Sequence, residues 1–263
     1  MIIGRDITTA SPVLDWQAYK KKYQFIYLPV AMDSSDAGFF VSHRNSAFQQ
    51  GVLWGGYAVL DYKGNIEAQA NRLFDTIPAG NPGDLSPAIK LIITDGTPKV
   101  NIVRWLGHYV EYFQSQAKRK LMVYMNSSAI AALDAEVKRV AAENQDCATE
   151  VQGYWALIRA CPLWLACWRT ASTAMWSVWD QFSIWQYADG EDRFMGTTAE
   201  LVKWAQTGVL PPNQTVPQPT PQPDPTPTPV PVPQPSPDPE PELTDDEKVQ
   251  LVELYMKLLR SCK

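Results

Sequence analysis

Four aspartates each follow a short apolar run: Asp6 after Ile2-Ile3, Asp33 after Phe25-Ile26-Tyr27-Leu28, Asp61 after Trp54 to Leu60, and Asp95 after Leu91-Ile92-Ile93. A carboxyl group with an apolar approach is a candidate general acid, because lost hydration disfavours its charged form. An acid near a leaving oxygen, usually with a second carboxylate, is the equipment for breaking a glycosidic bond. Asp95 and Asp6 have the apolar approach such an acid needs. Sugars also require flat aromatic faces beside polar groups. Six tryptophans fall between positions 155 and 187: Trp155, Trp164, Trp168, Trp176, Trp179 and Trp185. At least four of the six are expected in the core, roughly by the burial habit of large aromatics. Trp185-Gln186-Tyr187 ends a predicted strand, where rings and an amide could meet substrate.

The elements that must position these groups alternate. Apolar runs of strand length recur at Ile2-Ile3, Phe25 to Leu28, Trp54 to Leu60, Leu91 to Ile93, Leu121 to Met125, Leu163 to Ala166 and Phe182 to Tyr187. Each ends in polar or small residues. Between them lie amphipathic segments. Trp105, Tyr109, Tyr112 and Phe113 share one helical face, with Lys118-Arg119-Lys120 following, favourable at a helix C-terminus. Ala129 to Glu143 reads as a helix opened by Ser127 or Ser128, and Ile66 to Phe74 as another. This alternation predicts a parallel sheet closed as a barrel, with chemistry at the C-terminal ends of the strands. The four aspartates fall there. Any one of them is as readily a cap or turn residue, and alternating chains place many Asp residues there for capping alone.

The chain has 263 residues, and 15 of its 22 prolines lie between Pro211 and Pro241. Three parts are expected: a folded part over residues 1–210, an extended Pro-rich tether over 211–242, and an amphipathic helix over 243–263. Proline at nearly every second position blocks helix and ladder hydrogen bonds. The last segment opens with Thr244-Asp245-Asp246-Glu247, a capping-box pattern, and carries Val249, Val252, Tyr255 and Leu259 on one stripe. Such a helix is expected to dock on its own barrel, on a copy of itself or on an unidentified partner. Residues 1–210 hold 19 Lys+Arg against 20 Asp+Glu, and the rest hold 4 against 8, so nucleic acid is not an expected partner. No apolar run is long enough for a membrane span. The N-terminus lacks a basic start and apolar run, so no signal peptide is expected. Cys147, Cys161, Cys167 and Cys262 form no CxxC pair, and His43 and His108 are the two histidines. No metal site, cofactor or Cys–His nucleophile is expected. No GxGxxG or GxxxxGK[ST] follows a predicted strand, which argues against a nucleotide enzyme.

Over about residues 2–205 the chain resembles the family 25 glycoside hydrolases, the Chalaropsis-type lysozymes common among phage endolysins. Ile3-Gly4-Arg5-Asp6-Ile7-Thr8 looks like that family's opening G-x-D-[IV]-S strand, and Leu14-Asp15-Trp16 like its "DW" segment. Gly51, Gly55, Gly56 and Tyr57 match its "aG..vGaY" strand, and Glu67-Ala68-Gln69-Ala70 its "A-x-x-Q-A" helix. Val123-Tyr124, Pro162-Leu163-Trp164-Leu165-Ala166 and Ile184-Trp185-Gln186-Tyr187 match its "iYts", "yPLWiA" and "iWQY" strands.

The resemblance implies a modified (β/α) barrel with fewer helices than strands. It also implies cleavage of the β-1,4 bond of peptidoglycan after N-acetylmuramic acid, with no cofactor. The family's first-strand catalytic Asp matches Asp6. Its fourth-strand Asp-x-Glu, whose Glu is the general acid, matches Ile93-Thr94-Asp95, so Asp95 stands for the acid and Ile93 for its partner. The family's late Asp, in a "G-x-x-G-x-x-D-x-N" stretch, has Glu200 as its nearest match, and a third-strand Tyr matches Tyr57. Asp33, Asp61, Trp185, Gln186 and Tyr187 complete the expected substrate-binding set. An Asp in place of Glu is one methylene shorter, and misplacing an acid by ~1 Å can cost on the order of 100-fold in rate. Two functions follow. The first is an active muramidase acting on the cell wall, as a phage endolysin released by lysis or a holin, or carried on a virion. The second is a barrel that has lost catalytic carboxylates and binds glycan, or serves as a structural virion or surface protein.

Overall fold

The computed structural model describes residues 2–30, 37–62, 64–77, 85–93, 96–117, 120–168 and 178–207. Asp33, Asp95, Trp176, the Pro-rich segment 211–242 and the expected helix over 243–263 lie outside the described residues. Eight strands close into a barrel: β1 (Ile2–Asp6), β2 (Phe25–Pro29), β3 (Leu53–Val59), β4 (Ala88–Lys90), β5 (Met122–Asn126), β6 (Leu163–Ala166), β7 (Ile184–Ala188) and β8 (Glu191–Phe194). Neighbours from β1 to β7 run parallel, while β8 is antiparallel to both β7 and β1. Seven helices accompany them among the described residues: α1 (Trp16–Lys22), α2 (Ala37–Gln50), α3 (Ile66–Thr76), α4 (Lys99–Ala117), α5 (Ser127–Glu143), α6 (Gln145–Arg159) and α7 (Thr198–Thr207). The modified barrel with fewer helices than strands is thus the observed architecture. None of these helices is long and apolar enough to cross a membrane.

Parallel strands covered on both faces become continuous apolar runs. Phe25, Ile26, Tyr27 and Leu28 of β2 are each fully buried: Phe25 and Tyr27 fill the barrel, and Ile26 and Leu28 meet the outer helical layer. The filling is tight. A Cβ on Gly4 of β1 would stand 2.3 Å from the Phe25 ring, so only glycine lets that ring cross the interior. Side-chain caps open several helices. Asp15 accepts from Gln17 and Ala18 before α1, Asn65 from Ala68 before α3, and Asn144 from Cys147 before α6. The cap of α5 is Asn126, whose Oδ1 accepts from the Ala129 N–H at 2.7 Å, rather than Ser127 or Ser128. The strand's last residue therefore doubles as the helix's first cap.

Two elements depart from the sequence expectation. The fourth strand lies over Ala88–Lys90, not over the apolar run Leu91 to Ile93. Lys90 breaks the apolar pattern yet faces the interior, where a carboxylate meets it, while Ile92 is 52% exposed. The eighth strand, Glu191-Asp192-Arg193-Phe194, carries three charged residues and no apolar alternation, and is held by antiparallel pairing on both sides. Its last residues lead into α7. Leu201, Trp204 and Ala205 of that helix pack with Ile2, Phe25, Leu85, Ala88 and Met122, so α7 closes the end where the parallel strands begin.

Candidate active site

The other end of the barrel, where β1 and β4 finish, holds the polar groups. Asp6 ends β1, and its carboxylate is shared between two partners. Lys90 Nζ pairs with Oδ2, and Gln186 Nε2 donates to Oδ1 at 2.7 Å. Both members of the ion pair are nearly enclosed, with side-chain exposures of 9% each. Gln186 Oε1 in turn accepts from the Tyr124 hydroxyl at 2.8 Å. The Lys90 ammonium lies 4.0 Å from the Tyr57 ring centroid, 4.7 Å from Tyr124 and 4.8 Å from Trp164. Three electron-rich rings and one carboxylate thus surround a single cation. Tyr57 donates its own hydroxyl to the Ile7 carbonyl at 2.8 Å, which fixes the ring.

Asp192, on β8, is the second carboxyl inside the barrel and is fully buried. Its Oδ1 accepts from Trp164 Nε1 at 2.8 Å. Burial, and then the charge of Asp6, push its carboxyl well above the usual carboxylate range. The same two causes raise the Tyr57 and Tyr124 phenols. Among the described residues, the interior therefore holds one ion pair, Asp6 with Lys90, and one carboxyl driven toward its neutral form. Among the described residues, no group of three His, Cys, Asp or Glu is arranged to hold a metal ion.

The expected site residues separate into three groups. Asp6, Tyr57 and Gln186 converge in the interior. Trp185 and Tyr187 do not join them: alternation along β7 sends Ile184 and Gln186 inward and these two rings outward, where both meet the Arg193 guanidinium. Asp61 is exposed on the loop after β3, its backbone clamped by the Gln69 amide at 3.0 and 2.9 Å. Glu200 stands apart from both groups. Its carboxylate accepts from the Thr197 N–H at 2.7 Å and the Thr197 hydroxyl at 2.8 Å, a capping box at the start of α7. That helix closes the opposite end of the barrel from Asp6. The place nearest Asp6 on the last strand belongs instead to Asp192, two residues after Gly190.

Lys90 closes β4, and Ile93 lies three residues beyond the strand's end, while Asp95 is outside the described residues. Lys90, Tyr124, Trp164 and Asp192 are the interior residues that sequence reasoning did not assign to the site. Trp164 and Tyr124 carried a signal, since both lie in strand-like runs. Asp192 carried only its position after a Gly turn, and Lys90 carried none. At the rim, Trp168 follows β6 and is 62% exposed, and the Tyr62 hydroxyl donates to the Ile92 carbonyl at 3.0 Å. Of the six tryptophans, Trp155, Trp164 and Trp179 are buried, and Trp185 is partly buried against the core. Cys161 is buried, which pushes its thiol up to about 12.

This fold is that of the family 25 glycoside hydrolases. The chain is similar to the muramidase from Acremonium alcalophilum at 20% identity, over 78% of this chain and 99% of that one, with a TM-score of 0.60. It is similar to the bacterial lysozyme from Streptomyces coelicolor at 16% identity, over 79% of this chain and 98% of that one, with a TM-score of 0.59. A family 25 glycosyl hydrolase from Bacillus anthracis matches at 16% identity, over 77% of this chain and 93% of that one, with a TM-score of 0.57. No family model matches the sequence, and no curated protein matches it.

Proposed function

We propose that this barrel acts on bacterial cell-wall peptidoglycan as a muramidase-type glycoside hydrolase, cleaving the β-1,4 bond after N-acetylmuramic acid. The observation that carries this reading is Asp6. It stands at the C-terminal end of β1, oriented by Gln186 and Tyr124, in a fold shared with muramidases. A carboxylate there can stabilise positive charge developing on the sugar ring during bond cleavage. Asp95, on the segment after β4, is the proposed acid that protonates the leaving oxygen. Trp168, exposed beside the end of β6, and Asp61 on the rim are proposed glycan contacts, with Asp33 a further one. Site of action and delivery follow the same reading: an endolysin or virion-associated lysin, with residues 211–242 as tether and 243–263 as a docking helix.

A second reading, glycan binding without cleavage, is favoured by one specific observation. Lys90 occupies the end of β4 and engages Asp6, so the interior holds an ion pair where a hydrolase needs an acid and a free carboxylate. Reducing-end release from purified Gram-positive walls separates the two. The full chain should release reducing ends and the Asp95→Asn variant should not. Equal release by both would remove Asp95 from its role. No release by either, with the protein retained on pelleted walls, would establish the binding reading.

A further inference from the structure

Outside the barrel, β7, β8 and β1 form a face that the end of α1 reaches at Glu191, through Lys22 and the following Tyr23. The turn joining β7 to β8 is two residues long, Asp189-Gly190, and β8 runs directly toward α7 at the far end. Outward positions on these strands form two cross-strand rows: Trp185, Arg193 and Ile3 in one, Glu191 and Arg5 in the other, with Tyr187 beside them. Arg5 and Arg193 are diagonal neighbours on this face, a relation that spans roughly 7–8 Å in an antiparallel pair.

Neither guanidinium has a carboxylate partner among the described residues. The Nε of each is buried without a hydrogen bond. The one acidic side chain in their rows, Glu191, is already committed. Its Oε1 accepts from Lys22 at 2.7 Å and Tyr23 at 2.9 Å, and its Oε2 from Tyr187 at 2.7 Å. Those bonds hold its pKa down to about 2, so it stays a bound anion for Lys22. Arg193 rests on the Tyr187 ring, 3.9 Å from its centroid, which fixes the guanidinium plane without neutralising it. Two neighbouring half-buried and unneutralised arginines, one of them stacked on a ring, form a site for carboxylate oxygens.

The position of this face says which carboxylates. Arg5 is one residue from Asp6, and alternation turns Asp6 into the barrel and Arg5 out. Gly190 separates them: a Cβ there would lie 3.2 Å from the Asp6 carbonyl and 3.3 Å from Arg5 Nε. With a φ of +63° and no side chain, Gly190 lets the turn pass close to both residues. A glycan strand lying at Asp6 would therefore lie beside Arg5, across the Asp189-Gly190 turn.

We propose that Arg5 and Arg193 bind carboxylates of the peptidoglycan stem peptide, so that the outer face of β8 reads the peptide while the mouth reads the glycan. This rests on the peptidoglycan reading above. The test is calorimetric titration of the full chain with two probes. One is a disaccharide muropeptide with its stem carboxylates free, and the other is the same muropeptide with those carboxylates amidated. The free acid should bind about 10-fold more tightly at low salt, and the preference should shrink as salt rises. The Arg5→Met/Arg193→Met variant should bind both probes alike, at the parent's affinity for the amidated one, and Arg5→Lys/Arg193→Lys should restore part of the preference. Equal binding of both probes by the parent, or a preference that survives in the methionine variant, would overturn the assignment. So would displacement of the free-acid probe by a peptide-free phosphate polymer at equal charge. Binding of neither probe would sink the peptidoglycan reading itself, and this inference with it.

Discussion

Replacing Lys90 by methionine isolates the interaction at the centre of the barrel. Methionine keeps most of the side-chain volume and removes the charge, so packing changes little and electrostatics change a great deal. Asp6 and Lys90 are each only 9% exposed, and among the described residues Asp6 keeps a single other side-chain donor, Gln186 at 2.7 Å. Removing one partner of a buried pair costs about 3–5 kcal/mol, because the remaining charge has no counter-charge and little water. Contacts with the Tyr57, Tyr124 and Trp164 rings are lost as well, worth about 0.5–2 kcal/mol. For a domain of this size, with each kcal/mol worth ~2–4 °C, the ion-pair loss alone lowers Tm by about 6–20 °C. Adding Asp6→Asn removes the stranded charge while keeping an acceptor for Gln186, and the double variant should recover to within ~1–2 kcal/mol of the parent. Urea unfolding followed by tryptophan fluorescence gives all three stabilities. A Lys90→Met variant within about 1 kcal/mol of the parent would refute the buried-pair reasoning. So would a double variant as unstable as the single one.

Asp192→Asn should flatten the dependence of stability on pH. The native carboxyl is raised above its unfolded value, so the native state keeps a proton that the unfolded chain releases above about pH 4. The parent's stability should therefore fall relative to the variant as pH rises from 4 toward the raised native value, and parallel urea midpoints at pH 4, 6 and 8 would contradict this. Glu200→Ala removes both capping bonds from Thr197 and should cost about 0.5–2 kcal/mol without changing wall affinity. A change in wall retention at unchanged stability would return Glu200 to the site.

The barrel was legible because its signal is repetitive. Parallel strands buried on both faces announce themselves as apolar runs, and six of the eight strands overlap such a run. The two less legible strands are the ones that carry charge into the interior. In β4, Lys90 interrupts the apolar pattern, so the apolar signal falls on Leu91-Ile92-Ile93, beyond the strand's end, where Leu91 still donates its N–H to the Tyr124 carbonyl of β5. In β8, Glu191 and Arg193 face outward and Asp192 faces inward, a pattern that reads as a loop unless the partner strands are known. Both failures have the same physical cause. A buried charge is tolerable only beside a compensating group, and those groups, Asp6 and Trp164, lie 84 and 28 residues away in the chain.

That cause also separates the site from its surroundings. Asp6 was legible because an apolar approach and a strand end are local properties. Its partnership with Lys90 and Gln186 was not, because closing a barrel is what brings β1, β4 and β7 to one point. Trp185, Gln186 and Tyr187 show the limit most sharply. Three consecutive residues were read together, yet a strand's period of two sends the amide to Asp6 and both rings to the opposite face of the sheet. The interior amide serves the carboxylate and the exterior rings serve Arg193. One short strand thereby supplies two chemically different surfaces, a polar interior and a cationic exterior beside it.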